Sequence, residues 1–289
     1  MNMYCIYLDK EVDQADMNRE HIIPLSLGGA NGFEIQVDSQ ANATMGSNVD
    51  AAIANDFFMS FPRREYDARG HSNKQPFPLA KKSKLFFSNK PVQVAFKKEK
   101  IEIFSPIDRR NLDESEVSGE KFLSTFKLDV YSRMRFTAKV ALSAGYFIYG
   151  DLFRNNVNHN EIRKLTSFDR STADRKDFEG FTTKGWFWPF LVEEKDKEDH
   201  QLYQFLASHL ESSFVLAIPG PSNLGLIVGI LGQVVGIINC PAKTDHFPVG
   251  DDHDLGHLVS TKGGKVSRMS YRELIKNAAE ANDLDLPES

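Results

Sequence analysis

The sequence predicts an α+β protein in which β-hairpins and helices occupy separate stretches of one chain. Residues 1–60 follow the order strand, turn, strand, helix, and the glycine-rich segment around residue 232 has the composition of a buried hairpin. Hairpins and helices segregated in this way are typical of the α+β class. Residues 119–150 carry apolar side chains at helical spacing on one stripe, namely Phe122, Phe126, Val130, Met134 and Ala138.

The first unit, residues 1–60, is predicted from alternation and turn residues. Phe33, Ile35 and Val37 alternate with polar residues, which indicates a strand with one buried face. Further along, Val49 and Ile53 are four residues apart, as on one face of a helix. The predicted elements are the strands Tyr4–Leu8, His21–Leu25 and Phe33–Val37, a turn at 28–32, and a helix Asn42–Phe58.

Two further units are predicted after it. Residues 61–118 are predicted to form a basic connector with a hairpin, Val92–Phe96 and Lys100–Phe104, which ends at the acidic run 113–116. Residues 119–289 are predicted to form a domain that mixes helices and strands. Its predicted elements are the long helix 119–150, a segment Glu161–Phe168, the strands Leu226–Leu231 and Val234–Asn239 turning at Gly232-Gln233, and the helices Tyr203–Glu211 and Tyr271–Ala281.

Charge is distributed unevenly along the chain. The net charge of −5 over 289 residues excludes a uniformly basic coat protein for nucleic acid. Residues 1–60 carry 2 basic against 9 acidic side chains, residues 61–140 carry 18 against 10, and residues 141–289 carry 15 against 21. An acidic first segment suits a cation site, and a basic middle segment suits a phosphate backbone. A solvated, lysine-rich surface is the alternative interpretation of the middle segment.

Two cysteines, Cys5 and Cys240, are too few for a disulfide framework or, by themselves, for a four-ligand zinc site. The first ten residues have neither a basic start nor a long apolar run, so we expect a reduced cytoplasmic protein. The segment from Leu224 to Cys240 approaches the length of a membrane-spanning helix. Its four glycines and its many valines and isoleucines favour two buried strands, so no membrane partner is expected.

The most specific chemical pattern is an acid beside a histidine, a glycine turn, and an asparagine at the start of a helix: Glu20, His21 and Asn42. Carboxylate and amide oxygens bind hard divalent cations, and an imidazole accepts a proton from water near neutral pH. Taken singly, each residue has a plainer interpretation. Glu20 and His21 would form a surface pair, Asn42 would cap a helix, and Asp50 would be a structural helix residue.

The run Glu20-His21-Ile22-Ile23-Pro24 is followed by Leu27-Gly28-Gly29 and then by Asn42, Gly46 and Asp50. In these residues and spacings, the first 58 residues resemble the HNH (ββα-metal) endonucleases. The resemblance implies an N-terminal ββα-metal unit, followed here by the mixed domain. A weaker similarity extends into the long helix, through Arg133, Arg135 and Lys139-Val140-Ala141-Leu142.

The resemblance also implies roles for these residues. His21 would be the general base for a water nucleophile, and Glu20 and Asn42 would hold one Mg²⁺ or Mn²⁺ ion. Asp50 would complete the metal shell or cap the site. Because adjacent strand residues point to opposite faces, Glu20 and His21 can serve one substrate only if the strand ends or twists there.

The chain departs from the family at its structural zinc site. Members of this type usually clamp zinc with two cysteine pairs, whose positions here hold Cys5, Leu8, Asp38 and Ala41. Structural zinc is therefore not expected, although such an ion can contribute on the order of 10 kcal/mol to folding. We expect apolar packing on the helix to take its place, by Leu8, Ile22, Phe33, Ile35 and Val37.

Basic side chains of the middle segment are the candidates for contact with the nucleic-acid backbone: Arg63, Arg64, Lys81, Lys82, Lys84, Lys97, Lys98 and Lys100. Two weaker candidates lie further along the chain. The cluster Trp186–Phe190 offers either base stacking or core packing. A histidine- and aspartate-rich stretch offers either a metal site or a loop, and it contains His246, Asp251, Asp252, His253, Asp254 and His257.

The sequence thus predicts a divalent-metal-dependent endonuclease acting on DNA rather than RNA. A catalytically inactive nucleic-acid-binding or assembly protein on a decayed HNH scaffold is the alternative, motivated by the lost cysteines. A nuclease effector released by a partner is a third interpretation. Homo-oligomerisation or a regulatory protein partner is left open.

Overall fold

A long helix, α5 (Val130–Tyr149), lies between the N-terminal unit and a large antiparallel sheet. The computed structural model describes residues 1–70, 73–126, 128–188, 192–248, 253 and 255–284. Thirteen residues of α5 are buried, because both of its flanks pack against other elements. The α+β class predicted from the sequence is confirmed.

The N-terminal unit consists of two antiparallel strand pairs and a helical segment. Strands β1 (Asn2–Cys5) and β2 (Lys10–Asp13) pair, as do β3 (Met17–His21) and β4 (Glu34–Asp38). The helical segment contains α1 (Ser39–Met45), a π-helical turn Gly46–Asp50 and α2 (Ala51–Ala54).

The predicted strand His21–Leu25 is wrong in its bounds, because β3 ends at His21. Pro24, which has no N–H to donate to a strand partner, precedes a 3₁₀ turn at Leu25–Leu27. The glycines that follow are required by space: a Cβ on Gly29 would lie 1.8 Å from the Ile23 carbonyl oxygen. Gly28 has φ +82° and would bring a Cβ within 2.6 Å of Leu231.

The middle segment forms a small antiparallel sheet in which residues 79–85 pair with residues 91–96 on one side and with residues 122–124 on the other. Its predicted hairpin is confirmed to within one residue at each end. The elements of this segment are α3 (Ser60–Glu65), β5 (Leu79–Leu85), β6 (Pro91–Phe96), β7 (Ile101–Ser105), β8 (Arg110–Asn111), α4 (Glu114–Val117) and β9 (Phe122–Ser124).

The predicted start of the long helix at residue 119 is wrong. Residues 122–124 pair with β5 instead, and the helix begins only after Asp129, whose side chain accepts from the Ser132 N–H. Phe122 and Phe126 therefore lie outside the helical stripe.

The C-terminal residues build a larger antiparallel sheet, in which residues 213–219 pair with residues 223–230 on one side and with residues 257–262 on the other. Its central hairpin turns at Leu231-Gly232, one residue before the predicted turn. Among the described residues, no helix combines the length and apolarity needed to cross a bilayer. The elements are α6 (Asp151–Asn156), α7 (His159–Thr166), β10 (Lys184–Trp186), α8 (Lys197–Leu210), β11 (Ser213–Pro219), β12 (Asn223–Ile230), β13 (Gln233–Pro241), β14 (His257–Lys262), β15 (Lys265–Ser270) and α9 (Tyr271–Ala281).

One apolar core joins the N-terminal unit to the rest of the protein. Phe33, directly before β4, and Val37 of β4 share it with Phe136 of α5 and Val228 of β12. Helices α8 and α9 cover the other face of the large sheet through a second cluster that contains Leu206 and Leu274. The N-terminal unit is therefore stabilised by residues more than 90 positions away, on the order of 1.5–3 kcal/mol for each large side chain that it buries.

The positions of the zinc clamp are connected by hydrogen bonds. The Asp38 N–H donates to Cys5 Sγ at 3.3 Å, and the Asp38 carboxylate accepts from the Ala41 N–H at 2.8 Å as the N-cap of α1. Of the apolar side chains expected to hold the hairpin, Leu8 is exposed, so that expectation is wrong for this residue. It is confirmed for the other four, which are buried: Ile22, Phe33, Ile35 and Val37.

Candidate active site

Strand β3 presents Glu20 and His21 to opposite faces. The Glu20 side chain is buried towards α5, whereas the His21 ring is partly exposed on the side of β4. Because β3 ends at His21, the chain leaves the sheet directly after the histidine. We expected Glu20 and His21 to act on one substrate only if the strand ended or twisted at this dipeptide. The strand does end there.

The His21 ring is held by two neighbours. Its Nε2 lies 3.0 Å from Glu34 Oε1 and 3.0 Å from Asn31 Oδ1. Glu34 is the cross-strand partner of His21 in the β3–β4 ladder, so the sheet itself places the carboxylate beside the ring. Both neighbours are acceptors, which places the imidazole proton on Nε2. Nδ1, which has no hydrogen-bond partner among the described residues, is left as the proton acceptor.

Asn42 is fixed against the same strand. Its Nδ2 donates to Asn18 Oδ1 at 2.8 Å and to the Arg19 carbonyl oxygen at 3.3 Å. These two bonds use both amide hydrogens, so the Asn42 Oδ1 remains as an acceptor. Helix α1 therefore brings Asn42 next to the residue that precedes Glu20.

Glu20 and Asp50 meet in what we call the buried ion cluster, which is completed by Lys139 of α5. The Lys139 ammonium forms an ion pair with Glu20 Oε1 and lies 3.2 Å from Asp50 Oδ2. It also donates to the backbone carbonyls of His21 at 3.1 Å and Ile22 at 3.3 Å. The Lys139 side chain is 0% exposed, so its charge is neutralised entirely within the protein.

Burial and charge act against each other in this cluster. Burial lowers the pKa of Lys139, but Asp50, Tyr7 and Glu20 together raise that pKa above its usual value, so the ammonium stays charged. Burial raises the pKa of Asp50 to about 6, although Lys139 acts to lower it. Asp50 Oδ1 is buried with no hydrogen-bond partner in the described structure, which is consistent with a carboxyl group that holds a proton readily.

The raised pKa of Asp50 gives a prediction for stability against pH. The pKa in the folded protein, about 6, exceeds the ordinary value of 3.8, so the folded protein binds this proton more tightly than the unfolded chain does. The resulting stability is present in full below the unfolded pKa and is lost as the pH rises through about 6. Relative to Asp50→Asn, the wild-type protein should therefore lose free energy of unfolding across this window. Urea unfolding of both proteins at several pH values measures this loss. If the free energy of unfolding of the wild type, relative to that of Asp50→Asn, stays constant or rises with pH, the raised pKa of Asp50 is contradicted.

With this geometry established, comparison with known proteins gives one match. Residues 5–58 match the HNH endonuclease family model. The resemblance inferred from the sequence is thereby confirmed for this segment, which we call the HNH unit. Comparisons with curated proteins and with solved structures gave no match.

The HNH unit offers two oxygens that suit a divalent cation. Glu20 Oε2 and Asn42 Oδ1 accept no hydrogen bond from the described residues, and both belong to the side of β3 that faces the helices. In the described part of the chain, no group of three or more His, Cys, Asp or Glu side chains is placed to hold a metal ion. Mg²⁺ commonly binds through one or two carboxylates and keeps several waters, so this sparse donor set fits it.

Asp50 is not directed towards Glu20 Oε2 and Asn42 Oδ1. Its Oδ2 faces the Lys139 ammonium, which would repel a divalent cation placed between Asp50 and Glu20. The structure therefore brings Asn42 of α1 against β3, the strand that bears Glu20, and directs Asp50 to the lysine.

The predicted backbone-contact residues divide into two groups. Arg63 donates to the carbonyl oxygens of Ser26, Ala54 and Ala68, and burial lowers its pKa. Arg64 donates to the Phe96 carbonyl oxygen at 3.0 Å, so both arginines brace the fold. The lysines lie on the small sheet or in its turns, and all but the half-buried Lys97 are exposed: Lys81, Lys82, Lys84, Lys97, Lys98 and Lys100.

The weaker candidates are only partly described. In the aromatic cluster, Trp186 packs with the core beneath α8, while residues 189 and 190 lie outside the described residues. In the histidine-rich stretch, the His253 and His257 rings stack with centroids 4.2 Å apart, and residues 251, 252 and 254 lie outside the described residues.

Sequence reasoning missed Glu34, Asn31 and Lys139. Glu34 could have been found by counting back from the glycine turn, since residues equidistant from a hairpin turn become cross-strand partners. Lys139 stood out as a charge among apolar residues on a helix, which indicates a buried partner. Which carboxylates it would meet depends on packing between elements about 90–120 positions apart in the sequence, which is not visible in the pattern.

Proposed function

We propose that this protein is a divalent-metal-dependent endonuclease that hydrolyses phosphodiester bonds in DNA. The observation that supports the proposal is made at the end of β3, where His21 has an oriented imidazole, the adjacent Glu20 has a carboxylate oxygen that is free among the described residues, and Asn42 is hydrogen-bonded to the same strand. This arrangement falls within the segment that matches the HNH endonucleases.

His21 acts in this proposal as the general base. Its Nδ1 accepts the proton of an attacking water, while Nε2–H remains bonded to Glu34 and keeps the ring in place. Glu34, which is paired through its other oxygen with Arg19 at 3.8 Å, stabilises the imidazolium that forms.

Glu20 Oε2 and Asn42 Oδ1 are the groups that would hold the ion. When bound, a Mg²⁺ or Mn²⁺ ion supplies Lewis-acid chemistry, polarising the scissile phosphate and neutralising charge on the leaving oxygen. Lys139 holds the other Glu20 oxygen, and the two amide bonds of Asn42 to β3 fix its orientation. The chain thus orients both donors before any ion arrives.

Metal dependence tests the proposal directly. Supercoiled plasmid DNA incubated with the protein is expected to be nicked in Mg²⁺ or Mn²⁺ and left intact in EDTA. Asn42→Ala should raise the Mg²⁺ concentration for half-maximal cleavage at least about tenfold, because it removes one of two protein ligands. Ser47→Ala, an exposed change in the same helical segment, is the matched control. Cleavage that persists in EDTA, or an unchanged Mg²⁺ requirement in Asn42→Ala, contradicts the proposal.

A second candidate is a nucleic-acid-binding or assembly protein that no longer cleaves. The buried ion cluster favours it, because Lys139 already neutralises the carboxylate that the family uses for metal. DNA binding that weakens with salt, with no cleavage under any divalent ion, would select this candidate over the first.

A further inference from the structure

The outer face of the small sheet combines exposed phenylalanines with lysines, and we propose that it binds single-stranded nucleic acid. The inference rests on the proposed function only in choosing nucleic acid as the partner. We call this surface the lysine–phenylalanine face; it consists of Lys82, Lys84, Phe86, Phe87 and Leu123.

The strand register places the two lysines and Leu123 on one surface. Along β5, Ser83 and Leu85 are buried and Lys82 and Lys84 are exposed, so the lysines share the outer face. Leu123 of the edge strand β9 is the cross-strand partner of Lys84 and lies on the same side. Strand β5 is followed directly by the turn that carries Phe86 and Phe87.

The two rings are exposed yet held in place. Phe86 is 56% and Phe87 67% exposed, and their rings meet edge to face with centroids 5.2 Å apart. The Glu120 carboxylate accepts from the backbone N–H groups of Phe87 and Ser88 at 2.9 and 3.0 Å, and the Phe86 N–H donates to the Lys121 carbonyl oxygen. A turn anchored from both sides presents aromatic surface at low entropic cost.

The charge around the rings favours an anionic partner. The neighbouring carboxylates are already engaged: Glu102 pairs with Lys97 and Lys100, Asp108 pairs with Lys90, and Glu120 binds backbone. By contrast, among the residues that the structure describes, Lys81, Lys82 and Lys121 form no ion pair, and the Lys84 ammonium donates to the Asn89 side chain and forms no ion pair either. A face with unpaired lysines beside rigid rings combines the two elements of a single-strand site, backbone charge and base stacking.

The rings also distinguish single strands from duplex. In a duplex the faces of the bases are covered by their neighbours, whereas unpaired bases can stack on exposed aromatic side chains. We therefore expect this protein to bind single-stranded DNA more tightly than a duplex of the same sequence.

Binding of full-length protein to a fluorescein-labelled oligonucleotide, measured by anisotropy in EDTA, tests the inference without any need for cleavage. The Phe86→Ala/Phe87→Ala variant should weaken single-strand binding roughly tenfold per ring and duplex binding much less. Phe205→Ala, which removes a ring of 37% exposure on α8, is the control and should bind as wild type. The Lys82→Gln/Lys84→Gln variant should reduce the slope of log K against log salt by about 0.7 per lysine, whereas the control Lys276→Gln leaves it unchanged.

The outcomes separate this inference from the proposed function. If the protein cleaves nothing but the phenylalanine variant loses single-strand binding, the face is a binding site and the nuclease proposal fails. If cleavage occurs and the variant binds single strands as well as wild type does, the face has another role and the inference is overturned. It is overturned as well if sedimentation shows that the variant turns a dimer into a monomer, because the rings then cover a second copy of the chain.

Discussion

Replacing His21 with alanine is expected to lower the rate of DNA cleavage about 10²–10⁴-fold, which is the usual contribution of a positioned general base. The loss should appear in the single-turnover rate at saturating Mg²⁺ and not in DNA affinity, because among the described residues the His21 side chain has only Glu34 and Asn31 as hydrogen-bond partners. Quenched time courses on a labelled duplex, together with binding in EDTA, measure the two effects separately.

Two further variants sharpen this prediction. His246→Ala changes an exposed histidine far along the chain and should cleave as wild type does. Glu34→Gln keeps the shape of the side chain that holds Nε2 but removes its charge, so the rate should fall by a smaller factor with Kd unchanged. Equal nicking by His21→Ala and wild type would remove His21 from the mechanism.

The parts of the fold that the sequence predicted well are those encoded by neighbouring residues. Helix α9 was predicted with its observed bounds, because Ser270 caps it and apolar residues recur at helical spacing behind the cap. The β6–β7 hairpin was predicted to within a residue, because alternation and a charged turn mark it locally.

The start of the long helix could not be predicted in this way. Phe122 and Phe126 fit the helical stripe by spacing, yet residues 122–124 gain a full set of strand partners from β5, about 40 residues earlier in the chain. Long-range pairing of this kind overrides local periodicity. Phe126 instead stacks on Phe57, with ring centroids 4.1 Å apart. This side chain is therefore apolar because it packs against a distant residue and not because it lies on a helical stripe.

The residues of the candidate site also differ in how well the sequence predicted them, depending on whether local spacing or long-range packing places them. Glu20, His21 and Asn42 were recognisable because their spacing follows the ββα pattern, and the structure brings Asn42 to the strand that bears Glu20. Asp50 occupied the same pattern, but its partner is a lysine 89 positions further on. The motif thus identifies the residues that the HNH unit contributes. The lysine that neutralises Glu20 and Asp50 comes from α5, which packs against that unit.

Replacing Lys139 with methionine is expected to destabilise the protein by about 3–5 kcal/mol. The apolar stem of lysine is roughly preserved, so the loss comes from charge: Glu20 and Asp50 remain buried beside each other without a cation. Urea unfolding at neutral pH measures the change, with the exposed Lys164→Met on α7 as the matched control. Because Lys139 also donates to the carbonyls of His21 and Ile22, any folded fraction should cleave DNA poorly.

A second variant shows whether the cluster is the cause. Asp50→Asn/Lys139→Met removes one negative and one positive charge together, so the remaining buried charge is that of Glu20 alone. It should recover part of the lost stability, with a coupling free energy of at least about 1 kcal/mol between the two positions. If Lys139→Met instead costs no more than Lys164→Met, the buried ion cluster does not stabilise the fold. The orientation of Glu20 must then come from the strand alone, and α5 would not be part of the site that it packs against.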